Sequence, residues 1–162
     1  MPCREEETSV FWIETDQQLL EAVASWEDCI GFDTEFIRTD TFYPIPGLYQ
    51  VASGTEVFLL DPLTIENWQP FTTFLTDPAN VIVMHACQED LELVNHHLQI
   101  QPTNIFDTQF ANAFVGANFS LSYANLVRQT VEVELHKQET RSNWLQRPLT
   151  EEQLLYAAHD VI

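Results

Sequence analysis

Five side chains in three separate places could together do metal-assisted chemistry: Asp33 and Glu35, then Asp90, then Tyr156 and Asp160. Asp33 and Glu35 lie in Gly31-Phe32-Asp33-Thr34-Glu35-Phe36, a stretch that predicts a buried strand. Side chains at i and i+2 of a strand project from one face, so the two carboxylates stand side by side. Crowded carboxylates resist ionising together unless a cation holds them, and hard oxygen ligands suit Mg²⁺ or Mn²⁺. Tyr156 and Asp160 have i, i+4 spacing on a predicted helix, so phenol and carboxylate share a face. Asp90 falls near the start of another predicted helix, Gln88 to Leu98, just after the apolar strand Val81 to Met84.

The elements that must position these groups are marked in the surrounding pattern. Thr150-Glu151-Glu152-Gln153 is a capping box that opens the last helix, with two acids in the first turn where the helix dipole favours them. Thr15-Asp16-Gln17-Gln18 opens a helix the same way, and Leu19, Leu20, Ala22, Val23 and Trp26 supply its apolar face. Val10 to Ile13 predicts a short strand and Ile30 to Ile37 a central one. Leu48 to Ala52 and Val57 to Leu60 form a hairpin across Ser53-Gly54-Thr55. Helices are predicted over Glu66 to Leu75, Thr108 to Phe114 and Leu121 to Gln129, with a short strand near Asn104 to Phe106. A hairpin followed by alternating strand and helix predicts an α/β domain, a mixed sheet of about five strands with helices on both faces.

The order Asp-x-Glu, then Asp, then Tyr-x-x-x-Asp resembles the DEDDy group of 3′-to-5′ exonucleases, and ribonuclease D is the nearest likeness within it. The resemblance runs from about Trp12 to Ile162. Its most specific stretches are Phe32 to Phe36, His85 to Glu92, and the run from Lys137 through Trp144 and Arg147-Pro148-Leu149 to Tyr156 and Asp160. It implies the ribonuclease H-like (DnaQ-like exonuclease) fold and two Mg²⁺ or Mn²⁺ ions held by Asp33, Glu35, Asp90 and Asp160. In that scheme Asp33 bridges the ions, Glu35 and Asp160 complete the site of the attacking water, Asp90 supports the second ion, and Tyr156 orients the water. The backbone at Thr34 and Phe36 receives the terminal nucleotide, and Arg141 and Arg147 contact phosphate or sugar. The implied substrate is RNA with a free 3′ end, tRNA precursors being typical, and the products are nucleoside 5′-monophosphates. Single-stranded DNA as substrate, or a non-catalytic nucleic-acid-binding module on the same fold, are the rival readings; no obligate protein partner is evident.

Composition bounds the rest. The 162 residues make one domain, and 45% hydrophobic and 12% aromatic content excludes a disordered chain. No apolar run approaches the ~18 residues of a membrane span. Three widely spaced cysteines, Cys3, Cys29 and Cys87, read as free thiols of a cytoplasmic protein and not as a disulfide framework. Six Lys and Arg against 25 Asp and Glu give a net charge of −19, the wrong sign for holding a phosphate backbone. Either the cleft alone is compensated, by metal and a few arginines, or basic surface lies in a part of the protein not present here. The chain stops two residues after Asp160 without a C-cap signal, so residues 1–162 read as an exonuclease domain truncated before further helical nucleic-acid-binding domains.

Taken singly, Tyr156 reads as a core aromatic and Asp90 as dipole compensation beside Glu89 and Glu92. Asp160 in mid-helix has no such structural excuse. His159 lies about 100° off the Tyr156–Asp160 face and reads as a bystander. His85, Cys87, His96 and His97 tempt a zinc reading, but no CxxC or HExxH spacing supports it. Asp107 reads as the N-cap of the next helix. Lys137, Arg141 and Arg147 either pair with Glu139, Glu151 or Glu152 at the surface or touch phosphate. Phe42 or Tyr43 could stack on terminal bases, whereas Phe36 is better suited to core packing.

Overall fold

Apolar runs and capping signals become twelve elements in the computed structural model, which describes residues 8–116, 119–135 and 142–162. In chain order they are β1 (Ser9–Ile13), α1 (Asp16–Ser25), β2 (Cys29–Ile37), β3 (Ile45–Ser53), β4 (Glu56–Leu60), α2 (Gln69–Thr76), β5 (Val81–Met84), α3 (Gln88–Leu98), β6 (Ile105–Asp107), α4 (Thr108–Phe114), α5 (Tyr123–Thr130) and α6 (Glu151–His159). The strands form one mixed sheet in the order β1-β4-β3-β2-β5-β6. It has six strands where about five were expected, because three-residue β6 is drawn into the sheet by parallel pairing with β5.

The expected hairpin is present as the antiparallel β3–β4 pair, and β2 joins β3 antiparallel but β5 parallel. Thr15 and Thr150 both close capping boxes with Gln18 and Gln153. Helix α2 begins at Gln69, three residues later than Glu66. The Glu66 and Asn67 amides instead donate to the Asp16 carboxylate, and Pro70 fits the first turn, where its missing N–H costs nothing. Helix α5 likewise begins at Tyr123, after Leu121 is buried ahead of it.

Alternation along the strands sorts the core into two layers. One face of the sheet, through Ile30, Phe32, Tyr49, Val51 and Ile82, packs on α1, α2 and α3. The other, through Leu48, Val57 and Leu59, packs on Trp144, Leu149 and the Ala157, Ala158 and Val161 end of α6. No helix among the described residues is long and apolar enough to cross a membrane.

The segment leading into α6 is fastened by Arg147. Its Nε and Nη2 donate to the two carboxylate oxygens of buried Asp61 at 2.8 and 2.6 Å, and Nη2 also reaches Gly47 O at 2.8 Å. Nη1 donates to the Trp144 and Gln146 carbonyls. All five guanidinium N–H groups are engaged within the protein, so Arg147 is structural in place of the expected phosphate contact, and its acidic partner among the described residues is Asp61, not Glu151 or Glu152, while Glu139 lies outside them. Removing one partner of a buried pair strands the other charge. Arg147→Met is therefore expected to destabilise the chain by about 3–5 kcal/mol in chemical denaturation, while Lys, which cannot match the fork, recovers only part of that loss.

Candidate active site

Alternation along β2 puts Asp33 and Glu35 on the α6 face, with Thr34 on the opposite face. Gly31 starts the same row. A Cβ there would lie 2.5 Å from the Val161 carbonyl oxygen, so only glycine lets the end of α6 settle on β2 this closely. That contact delivers Asp160. The helix ends one residue earlier than the mid-helix placement expected of Asp160, which is the C-cap at φ −75°, ψ −8°, with its N–H on the Tyr156 carbonyl. Asp33, Glu35 and Asp160 each offer a carboxylate oxygen within 4.8 Å of the others.

Asp90 approaches from the other side of β2. Strand β5 pairs only with Cys29, Ile30 and Gly31, so β2 from Phe32 onward has no strand beside it on that edge. The first turn of α3 comes up beside it, and there buried Asp90 accepts a hydrogen bond from the Thr34 hydroxyl. The turn into α3 carries Ala86 at φ 55° and is held by the Asp107 carboxylate, which accepts from the Ala86 and Cys87 amides and also caps α4 as expected. Arg38, at the exit of β2, pairs with Glu89 and Glu92 on either side of Asp90. The site thus sits past the carboxyl end of β5, beside the strand that has a parallel neighbour on one edge and an antiparallel one on the other.

Crowding and burial govern the electrostatics. Removal from water, then repulsion from Asp160 and Asp90, pushes the Glu35 carboxyl up to about 9. Asp33 is raised by burial first and then by Asp90, Glu35 and Asp160. Asp90 rises to about 6, chiefly by burial, against the Thr34 hydrogen bond that lowers it. Asp33 and Glu35 have no Lys or Arg ion-pair partner among the described residues. A compact, cation-hungry set of hard oxygen donors fits a divalent metal. Tyr156 is kept protonated by burial and then by the hydrogen bond it gives to Asp160.

The other expected residues divide. Thr34 is buried and bonded to Asp90, and Phe36 packs against the edge of the core. Arg141 and Lys137 lie outside the described residues. Phe42 is exposed, and Tyr43 is stacked on His96 with ring centroids 3.9 Å apart. His159 ends α6 outside the carboxylate cluster. The residues that could have suggested zinc are engaged elsewhere: His85 contacts Thr108 and the Leu121 carbonyl, His97 the Tyr49 hydroxyl, and burial and Asp107 push the Cys87 thiol up to about 12. Sequence reasoning missed Tyr123 and Arg38. Tyr123 shares a cleft with Asp33, His85 and Asp160, its hydroxyl bonded to the Ile162 carbonyl and raised to about 12 by burial and then Asp160 and Asp33. Tyr123 opens an amphipathic helix with no mark of function; the Arg38 charge beside Glu89 and Glu92 was a readable signal only once α3 was set against β2.

A family model described as "3'-5' exonuclease" matches residues 10–162. Ribonuclease D of Pseudomonas paraeruginosa is 47% identical over 152 residues, which is 93% of this chain and 40% of that protein. The chain thus spans about two fifths of the length of such relatives. The crystal structure of Escherichia coli RNase D, described as an exoribonuclease involved in structured RNA processing, superposes with a TM-score of 0.89 at 42% identity, covering 94% of this chain and 41% of that one. Trypanosoma brucei RNase D in complex with RNA U12 has a TM-score of 0.84 at 25% identity, covering 95% of this chain and 59% of the other.

The raised carboxyls fix the sign of a pH effect. Without metal, Glu35 holds its proton from its ordinary value of 4.5 up to about 9, so over that window the folded chain binds more protons than the unfolded one. The contribution of Glu35 to stability is then greatest below about 4.5 and falls as pH rises toward 9. Glu35→Gln is expected to raise the EDTA melting temperature at pH 8 by about 3 °C or more, and to give little at pH 4.5, as read by calorimetry at the two pH values.

Proposed function

This chain belongs to the 3′-5′ exonuclease family, and we propose that it hydrolyses RNA from a free 3′ end, releasing nucleoside 5′-monophosphates. The observation that carries the reading is the meeting of Asp33, Glu35 and Asp160 within 4.8 Å, with the Tyr156 hydroxyl bonded to Asp160 and Asp90 alongside. Hydrolysis adds water across the P–O3′ bond, so the departing nucleotide keeps the 5′ phosphate and the shortened strand gains a 3′ hydroxyl. Two Mg²⁺ or Mn²⁺ ions held by Asp33, Glu35, Asp90 and Asp160 would supply the positive charge that lets these carboxyls ionise together and offsets charge building on the phosphate.

The chain's own groups do the rest. Asp33 and Glu35, fixed on a central strand, and Asp160, fixed by the Gly31 contact, form a rigid cradle that loses little on ordering. Tyr156 stays a phenol well beyond neutral pH, which makes it a donor that orients the attacking water and not its base. The backbone beside Thr34 and Phe36 lies on the unpaired edge of β2 and offers N–H and C=O groups to the terminal nucleotide. Structured RNAs are the expected substrates, a reading supported by the role of E. coli RNase D in structured RNA processing, and tRNA precursors are the proposed members of that class. Cys29 and Cys87 are free thiols, which suits a cytoplasmic location.

The test is a 5′-labelled single-stranded RNA with Mn²⁺, run beside a 3′-phosphate-blocked RNA and a matched DNA. Wild type should give a ladder shortening from the 3′ end, the blocked RNA should persist, and RNA should be preferred to DNA. Asp33→Asn should abolish cleavage, and Tyr156→Phe should lower kcat about 10²-fold with KM little changed, as misplacing an attacking group does. Mn²⁺ uptake and RNA binding without any cleavage would instead identify a binding module.

A further inference from the structure

Gln50 is fully buried, yet neither its amide nitrogen nor its amide oxygen has a hydrogen-bond partner among the described residues. It stands in mid-β3, directly opposite Asp33 on β2 and beside Leu59 on β4. Directly opposed residues of an antiparallel pair share a face, with Cβ atoms ~4.5–5.5 Å apart. The row it belongs to, with Leu48 and Ala52, packs beneath the Ala157 and Ala158 end of α6. In that apolar layer a methionine or leucine would fill the same space without two orphaned polar atoms, so packing alone gives a glutamine no advantage.

Its neighbour across the strand pair supplies one. The amide N–H₂ can donate to a carboxylate, fixing its rotamer and leaving the second oxygen for a cation. We infer that Gln50 is a positioning residue of the acidic site, its Nε2 turning to donate to the Asp33 carboxylate when a divalent cation is held there. The orphaned state then belongs to the cation-free chain. Gln50 touches neither substrate nor metal; it acts through Asp33. This inference rests on the metal-binding reading above.

The experiment measures two quantities on wild type, Gln50→Met and Gln50→Leu: Mn²⁺ affinity by titration calorimetry, and the melting temperature in EDTA. Both variants should melt no lower than wild type in EDTA, because an unsatisfied amide has been removed, while binding Mn²⁺ about 10–100-fold more weakly. Mn²⁺ affinities within about twofold of wild type overturn the inference, since supporting groups cost more than that when lost. A lower melting temperature in both variants, or failure to fold, also overturns it, because the amide would then be bonded in the cation-free chain. A wild-type chain that takes up no Mn²⁺ sinks the metal reading itself, whereas weak cleavage with intact Mn²⁺ uptake in all three leaves that reading and removes this one.

Discussion

Carboxylates held within 4.8 Å of one another repel, and much of this fold can be understood as resistance to that repulsion. Asp33 and Glu35 cannot move apart because they belong to a strand bonded to β3 from Gly31 to Ile37 and packed on both faces. Asp160 cannot retreat because α6 is seated at both ends. The Thr150 capping box sets its start, the Arg147–Asp61 fork ties down the chain before it, and bare Gly31 admits the Val161 backbone at its end. Burial and mutual repulsion raise the Asp33 and Glu35 carboxyls, so each favours its protonated form more than a free carboxyl does. A divalent ion held there would favour the ionised forms instead, with the carboxyls already in place.

The sequence made the local features legible and left the meetings hidden. The Asp33–Glu35 face, the Tyr156–Asp160 turn, both capping boxes and the Asp107 cap all follow from spacing within one element. Features that depend on two elements were invisible or misread. Arg147 looked like a scarce cation available to phosphate, because nothing marks Asp61 as its partner 86 residues away. Arg38 went unnoticed until α3 lay against β2, and Gln50 reads as an ordinary strand residue until its register with Asp33 is known. The closeness of Asp160 to β2 also depends on a second element, because bare Gly31 is what admits the Val161 backbone beside it.

The acidity of the chain acquires a local meaning. Of its six Lys and Arg, Arg38 and Arg147 are both consumed in ion pairs, and Arg128 on α5 is the other one among the described residues. Basic side chains in the described part therefore brace the scaffold more than they attract polyanions. A phosphodiester entering the cleft meets carboxyls on β2, α3 and α6, so positive charge at that point has to arrive with a bound cation.

Strand β5 is four residues long beside a nine-residue neighbour. In most sheets a mismatch of this kind is a ragged margin with no consequence. Here it is a doorway: the sheet stops on one side while β2 carries on, and the unclaimed backbone edge opens between the first turn of α3 and the end of α6. Two or three further residues of β5, however well they paired, would wall the opening shut and push Asp90 out of its place beside Thr34. The brevity of one strand is thus as selective a requirement as any acid, and it is written as a length, which no inspection of residue types can see.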